Sequence, residues 1–171
     1  IYPASSAVGA LFSVNPKTQD ARISGSLASL CGLEKAMESQ DKEAITLAIK
    51  RVLMMQAHSF FVGGMPMIYY GDEWGALNDY SYQTDPGKDY DNRWMHRPTV
   101  HGRQPLPPVA GTPAAALFSG TRRLLQLRRS LPAMADTNNT RWMPTHNKHI
   151  AGLVRMHQEH RLFCLFNYAP N

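Results

Sequence analysis

Cysteine is almost missing from the chain. Cys31 and Cys164 are the only two. They stand far apart in apolar context and share no metal-ligand spacing, so they read as buried thiols rather than a disulfide. That excludes a stapled scaffold and leans towards a reducing compartment, leaving the location otherwise open. No apolar run approaches the roughly 20 residues that cross a bilayer, so no membrane partner is expected. A phosphate-cradling glycine loop, a nucleophile elbow and a Cys/His pair are all missing. The seven histidines are scattered, and none pairs with another at metal-ligand spacing beside acidic residues, so neither metal nor cofactor is expected. His58, inside a helical pattern, reads as a packing residue. No signal peptide is visible. The chain opens at Ile1, without Met and in mid-phrase, and its natural N-terminus is expected upstream.

Acidic charge is scarce too: 13 Asp and Glu stand against 18 Lys and Arg, for a net charge of +5. Arg122, Arg123, Arg128 and Arg129 form two pairs within one helical pattern. A basic helix can bind nucleic acid. The plainer reading is a solvated face whose arginines meet acidic neighbours. No Lys/Arg cluster with interleaved aromatics accompanies them, so no nucleic-acid partner is expected.

What the 171 residues do contain is enough for one domain with a real core, or for part of a larger one. Residues 1–25 read as loop. A short helix is expected over 26–36. Asp41 is a good N-cap, with Glu43 in the first turn where the helix dipole favours an anion. From there Ile45, Ala48, Ile49, Val52, Leu53 and Gln56 keep helical spacing to about Phe61, and Gly63-Gly64 ends the helix. Residues 65–70 form a continuous apolar run, as suits a strand buried on both faces of a parallel sheet. Residues 71–111 read as a long loop, too aromatic for disorder and of a length that is usually functional. Thr112-Pro113 opens a further helix, with Leu117, Leu124, Leu127 and Leu131 along one side and Pro132 beyond its end. Alternation over 149–156 places Ile150, Gly152, Val154 and Met156 on one face. The run over 161–168 is a second strand, and His157-Gln158-Glu159-His160 turns between them.

Chemistry concentrates in 63–98. Asp72 and Glu73 follow the apolar run and invite a reading as a catalytic pair. Two carboxyls that cleave a glycosidic bond with retention face each other roughly 5–5.5 Å apart, whereas neighbours at a strand end point in different directions. The pair is therefore expected to accept backbone N–H groups and fix the loop. In Asp91-Asn92-Arg93-Trp94 and His96-Arg97-Pro98, an arginine fork can hold a carboxylate or sugar hydroxyls, and Trp94 offers a flat face for a pyranose. An internal ion pair such as Asp91 to Arg97 is the structural alternative. Arg93 is the stronger pocket candidate, and for Arg97 either role is open. Asn15-Pro16, Asp20 and Arg22 make a polar turn followed by arginine.

These segments carry a resemblance. The run from Gly64 through Met65-Pro66-Met67-Ile68-Tyr69-Tyr70-Gly71-Asp72-Glu73-Trp74 to Gly75 resembles the eighth strand and following turn of the α-amylase family of glycoside hydrolases. Leu77-Asn78-Asp79, Asp85-Pro86-Gly87-Lys88 and Asp91 to Pro98 look like amylosucrase and sucrose hydrolase. Asn15-Pro16, Asp20 and Arg22-Ile23-Ser24-Gly25 are similar to the loop after strand seven. Asn147-Lys148-His149-Ile150 and Asn167-Tyr168 are similar to the start of the C-terminal β domain.

The resemblance implies an α/β fold, the C-terminal portion of a (β/α)8 TIM barrel followed by the start of an antiparallel β domain. Residues 1–132 would close the barrel and 133–171 would open a β-sandwich. It implies a retaining α-glucosyl-transferring enzyme that cleaves sucrose and passes glucose to an α-glucan. Its nucleophile, acid/base and transition-state carboxylates would lie on strands four, five and seven, upstream of Ile1, so no catalytic residue is assigned here and the fragment alone is expected to be inactive. Arg93 would line the floor of the glucose subsite, paired with an acidic residue outside this chain. Arg22 would line the acceptor side, with Asn15 and Asp20 nearby, while Asp72, Glu73, Asp91 and Arg97 would be structural. Ser13-Val14 stands where these enzymes commonly have Gln-Tyr, which leaves polymerisation against hydrolysis open. Sucrose hydrolase, another α-glucosidase of the family acting on α-1,4-glucan or trehalose, and a non-catalytic carbohydrate-binding module are the alternatives.

Overall fold

The Asp41 carboxylate accepts the backbone N–H groups of Glu43 and Ala44 at 3.0 Å each. It thereby satisfies donors that a helix start leaves open. α3 (Lys42–Val62) follows from that cap and is the longest element of this computed structural model, which describes residues 5–99 and 107–169. Thr112 opens α4 (Pro113–Ser130) in the same way, its hydroxyl accepting the Ala115 N–H at 3.2 Å. Both helices stop where local chemistry expects, ahead of Gly63-Gly64 and Pro132. The chain divides into two compact units, Ile1–Val52 with Ile68–Ser119, and Leu53–Met67 with Gly120–Asn171. Each long helix contributes its N-terminal part to the first unit and its C-terminal part to the second.

In the first unit, residues 10–24 correct the loop expected over 1–25. β1 (Ala10–Phe12) pairs antiparallel with β2 (Arg22–Ser24), Phe12 opposite Arg22 and Ala10 opposite Ser24. Strands of three residues are too short to leave a readable period. Residues 1–4 of that expectation lie outside the described residues. The helix expected over 26–36 breaks at Cys31-Gly32 into α1 (Leu27–Leu30), capped by the Ser26 hydroxyl, and α2 (Leu33–Glu38). Leu33, Val52 and Leu117 are fully buried in this unit. Gly75 has φ +73°, and a Cβ on it would stand 2.3 Å from Leu117 Cδ1. The last glycine of the 71–75 turn is thus required by conformation and by space.

The buried strand expected over 65–70 is absent. Among the described residues no strand pairs with it, and Met65 and Met67 are 87 and 82 % exposed. A strand of a parallel sheet exists only through its neighbours' hydrogen bonds, and among the described residues the run has no neighbouring strand, so it stays uncovered. Residues 100–106 of the long loop expected over 71–111 lie outside the described residues. The described part folds as turns and two short 3-10 helices, Ser81–Thr84 and Asn92–His96.

The second unit holds an antiparallel sheet ordered β3-β4-β5, from β3 (Thr140–Met143), β4 (Ile150–His157) and β5 (His160–Asn167). The hairpin closes with His157 opposite His160, as the sequence suggests, whereas β3 went unread. Ile150, Gly152, Val154 and Met156 do share a face, but the other face is the covered one: Leu153 and Arg155 are 0 and 1 % exposed. An arginine pointing into the core hides the alternation. Phe60 and Phe61 of α3 pack there with Leu153 and Phe166. His58 is a packing residue, its ring 4.9 Å from that of Phe166 and its Nδ1 2.8 Å from the Tyr168 hydroxyl. Leu127, expected on the inner side of α4, is 48 % exposed. Arg122, Arg123 and Arg129 are exposed, and Arg128 meets carbonyls rather than acids, donating to Phe60 O and, at 2.8 Å, to Gly64 O. It therefore caps the end of α3, where a cation suits the dipole. Both cysteines are free and half-buried, and burial pushes the Cys31 thiol up to about 11.

Candidate functional site

The loop after Gly71 is built onto α1 by Asn78 and onto α2 by Tyr80. Asn78 Oδ1 accepts the Ser26 N–H at 2.8 Å, its Nδ2 donates to Val8 O at 3.2 Å, and its own N–H donates to Ser29 Oγ at 3.0 Å. Two residues on, the Tyr80 hydroxyl donates to buried Glu34 at 2.6 Å. From this anchored base the loop runs to the second 3-10 helix, whose N-cap, Asp91, accepts the Arg93 N–H at 2.9 Å. Asn92 then ties the loop to the hairpin, with Nδ2 donating to Leu11 O at 2.7 Å and Oδ1 accepting from Ser24 Oγ at 3.0 Å.

That junction positions Arg93. Its Nε lies 2.8 and 2.9 Å from the two Asp91 oxygens, its Nη2 2.7 Å from Oδ2, and its guanidinium carbon stands 4.7 Å from the centre of the Phe12 ring. The hydrogen bonds from Arg93, side chain first, hold the Asp91 carboxyl down at about 2, and the same pairing raises the guanidinium. Asp91 therefore pairs with Arg93, two residues away, rather than with Arg97. Nor is Trp94 a bare platform. Lys88 Nζ stands 5.3 Å and the Arg97 guanidinium 5.6 Å from its ring centre, so cations already hold the π face that a sugar would use. Lys88 is itself paired with Asp85 at 2.9 Å. Beside Trp94, burial and then the Arg97 charge push His96 down, and its buried Nδ1 meets no hydrogen-bond partner among the described residues.

Between β1 and this loop lies an open hollow of about 570 Å³, lined by Phe12, Tyr82, Gln83, Tyr90, Asp91 and Arg93 among others. Its size is in the range of about 300–1,000 Å³ common to small-molecule sites. Of the residues expected to bind substrate, only Arg93 lines it. Arg22 is exposed opposite Phe12. Asn15 shapes the hairpin turn, its Oδ1 accepting the N–H groups of Lys17 and Thr18 at 2.9 and 3.4 Å, and its N–H donates to Asp20 O at 2.7 Å. Phe12, Asn92 and Tyr90 escaped the sequence reading. Only Asn92 sat in a motif, and its contacts reach 68 and 81 residues along the chain.

Asp72 and Glu73 lie apart from the hollow. Glu73 Oε2 accepts the Gly71 N–H at 2.7 Å, which closes the turn. Burial, reinforced by the Glu73 charge and opposed by a backbone hydrogen bond from Leu27, raises Asp72 to about 6. The ordinary value, about 3.9, describes the unfolded chain. Between these values the folded state holds the extra proton, so this carboxyl's contribution is present below about pH 4 and is lost as pH rises through 6. Asp72→Asn should therefore gain stability relative to the parent chain across that window. Urea midpoints of both proteins at intervals from about pH 4 to 7 test it, and a gap that does not change with pH would overturn it.

Among the described residues no cluster of three or more His, Cys, Asp or Glu could hold a metal ion, and no helix is long and apolar enough to cross a membrane. Compared with known protein families, the chain matches no family model.

Proposed function

We propose that this chain is the closing part of the catalytic barrel and the first strands of the following domain of an amylosucrase-type enzyme. That enzyme cleaves sucrose with retention and transfers glucose to an α-glucan. The observation that carries the reading is the convergence of its two resembling loops. Ser24 and Asn92, 68 residues apart, meet through their side chains at 3.0 Å, and a hollow with an arginine–carboxylate pair and aromatic rings opens beside Asn92. Such a wall suits a ligand with hydroxyls at its edge and an apolar face. The uncovered run over 65–70 supports the barrel part of the reading. An exposed apolar segment suits an inner strand whose neighbours lie upstream, and it is otherwise an aggregation hazard.

In this reading Arg93 positions the glucosyl unit, Arg22 with Asn15 and Asp20 lies on the acceptor side, Asp72 and Glu73 hold the turn, and Arg97 steadies Trp94. The three catalytic carboxylates belong to the upstream barrel, and the chain alone should release neither glucose nor fructose from sucrose. Incubating the purified 171-residue chain with sucrose tests that, and sugar release above background would overturn it. The full-length enzyme should release fructose, and its glucose should appear as α-glucan. Free glucose alone would make it a sucrose hydrolase. Activity on α-1,4-glucan or trehalose instead of sucrose would move it to another α-glucosidase group. Glucan binding with no cleavage of any of these would favour the non-catalytic module.

A further inference from the structure

We propose that Tyr90 is the stacking platform for the acceptor glucan, with Gln83 and Asp89 reading its hydroxyls. The inference rests on the function proposed above and extends it to a residue in neither resembling motif.

Tyr90 is 79 % exposed although it lines the hollow. The other rings there are covered or occupied: Tyr82 is 7 % exposed and Phe12 lies beneath the Arg93 guanidinium. Among the described residues no ring or cation stacks on Tyr90. The backbone around it is nonetheless held. The Asp89 N–H donates to Asp85 O at 2.9 Å, the Asp91 N–H donates to Lys88 O at 3.0 Å, and Asp91 is fastened to Arg93. A large aromatic on fixed backbone, left uncovered beside an arginine–carboxylate pair, is an anchor without its partner. Gln83 and Asp89 are exposed on the same hollow. They supply an amide donor, an amide acceptor and a carboxylate acceptor, which suits a pyranose with a C–H face for the ring and hydroxyls around its edge.

Arg93, which positions the glucosyl unit in the proposed function, lines the same hollow, so Tyr90 and β1, beside the hairpin assigned to the acceptor side, would carry the units that follow it. The hollow's volume of about 570 Å³ exceeds the needs of one pyranose, as suits a chain of them.

The test uses the full-length enzyme, Tyr90→Ala and Tyr90→Phe, with maltoheptaose as the probe. In Tyr90→Ala the acceptor KM and the calorimetric Kd for maltoheptaose should rise about 3- to 10-fold, a larger factor than any fall in kcat/KM for sucrose hydrolysis without acceptor. Tyr90→Phe, which keeps the ring, should restore both. Unchanged maltoheptaose binding in Tyr90→Ala would overturn the proposal. An equal loss of hydrolysis and transfer would also overturn it, because Tyr90 would then serve the donor or the fold. Calorimetry does not depend on sucrose cleavage. An enzyme that leaves sucrose intact but loses maltoheptaose affinity in Tyr90→Ala would keep this proposal and defeat the reading on which it was built.

Discussion

Replacing Arg155 with alanine is expected to destabilise the second unit by about 2–4 kcal/mol, from lost hydrogen bonds and a cavity together. Arg155 is 1 % exposed, and among the described residues its guanidinium donates to neutral oxygens. Nε donates to Ala133 O at 3.3 Å and Nη1 to Val62 O at 3.2 Å, while Nη1 also reaches Thr140 Oγ1 and Nη2 reaches Asp136 O. Burial, with Arg128 second, pulls its pKa down, but a guanidinium stays charged in proteins. One side chain of β4 thus joins the end of α3, β3 and the linker after α4. Gly63 records how tight the junction is: it has φ +136°, and a Cβ there would stand 3.0 Å from Arg155 Nη1.

Alanine would not orphan every acceptor. Val62 O keeps the Thr140 hydroxyl at 3.1 Å, and Ala133 O keeps Asn139 Nδ2 at 2.9 Å. The loss falls mainly on Asp136 O and on the vacated volume, which is why the expected figure is not larger. Arg155→Met separates the two parts, because it refills the space and serves no carbonyl. Urea unfolding of both variants, with amide exchange of residues 150–157, reads the outcome. Faster exchange there and a lower midpoint are expected in both, less severely in Arg155→Met. If Arg155→Met matched the parent chain, the polar junction would contribute nothing.

Arg155 also shows why parts of this fold were legible in the sequence and others were not. Local chemistry read well. Asp41 and Thr112-Pro113 cap the helices they were expected to cap, Gly63-Gly64 and Pro132 mark stops, and His157 to His160 turns the hairpin. Each of these signals acts within a few residues. Features that depend on distant chain read badly. The run over 65–70 has the composition of a buried strand but no neighbour to make it one. β1, β2 and β3 are too short for a period to show. Leu153 and Arg155 share the covered face of β4, and an arginine there inverts the hydropathy pattern on which the face is judged. At the candidate site, the Asp91 to Arg93 stretch stood out by composition. Its partners Phe12 and Leu11 did not, because nothing in residues 1–25 announces a contact 81 residues away.

The second large effect is expected at Arg93 in the amylosucrase-type enzyme proposed above. Arg93→Ala should lower kcat/KM for sucrose by about 100-fold or more, the scale on which misplacing a reacting group by an ångström is felt. The family resemblance implied an acidic partner outside this chain. Here the guanidinium is held within it, by both oxygens of Asp91 and over Phe12. Removing it strips the nine-tenths covered Asp91 of its cation, frees Phe12, and loosens the 3-10 turn that Asp91 caps. Arg93→Lys keeps the charge but not the fork, and should recover only part of the loss. A readout independent of catalysis accompanies the kinetics. The Asp91 carboxyl, held at about 2 by Arg93, should rise towards the ordinary value of about 3.9 in Arg93→Ala. Because a depressed carboxyl contributes stability above its unfolded pKa and loses it as pH falls through the folded one, the variant should lose the share that the parent keeps above about pH 4. Carbon-detected NMR titration of Asp91 reports the shift directly. An unmoved Asp91 titration would break the pair, and an unchanged kcat/KM would remove Arg93 from the pocket. A shifted Asp91 with unchanged kcat/KM would make the pair a brace for the loop and nothing more.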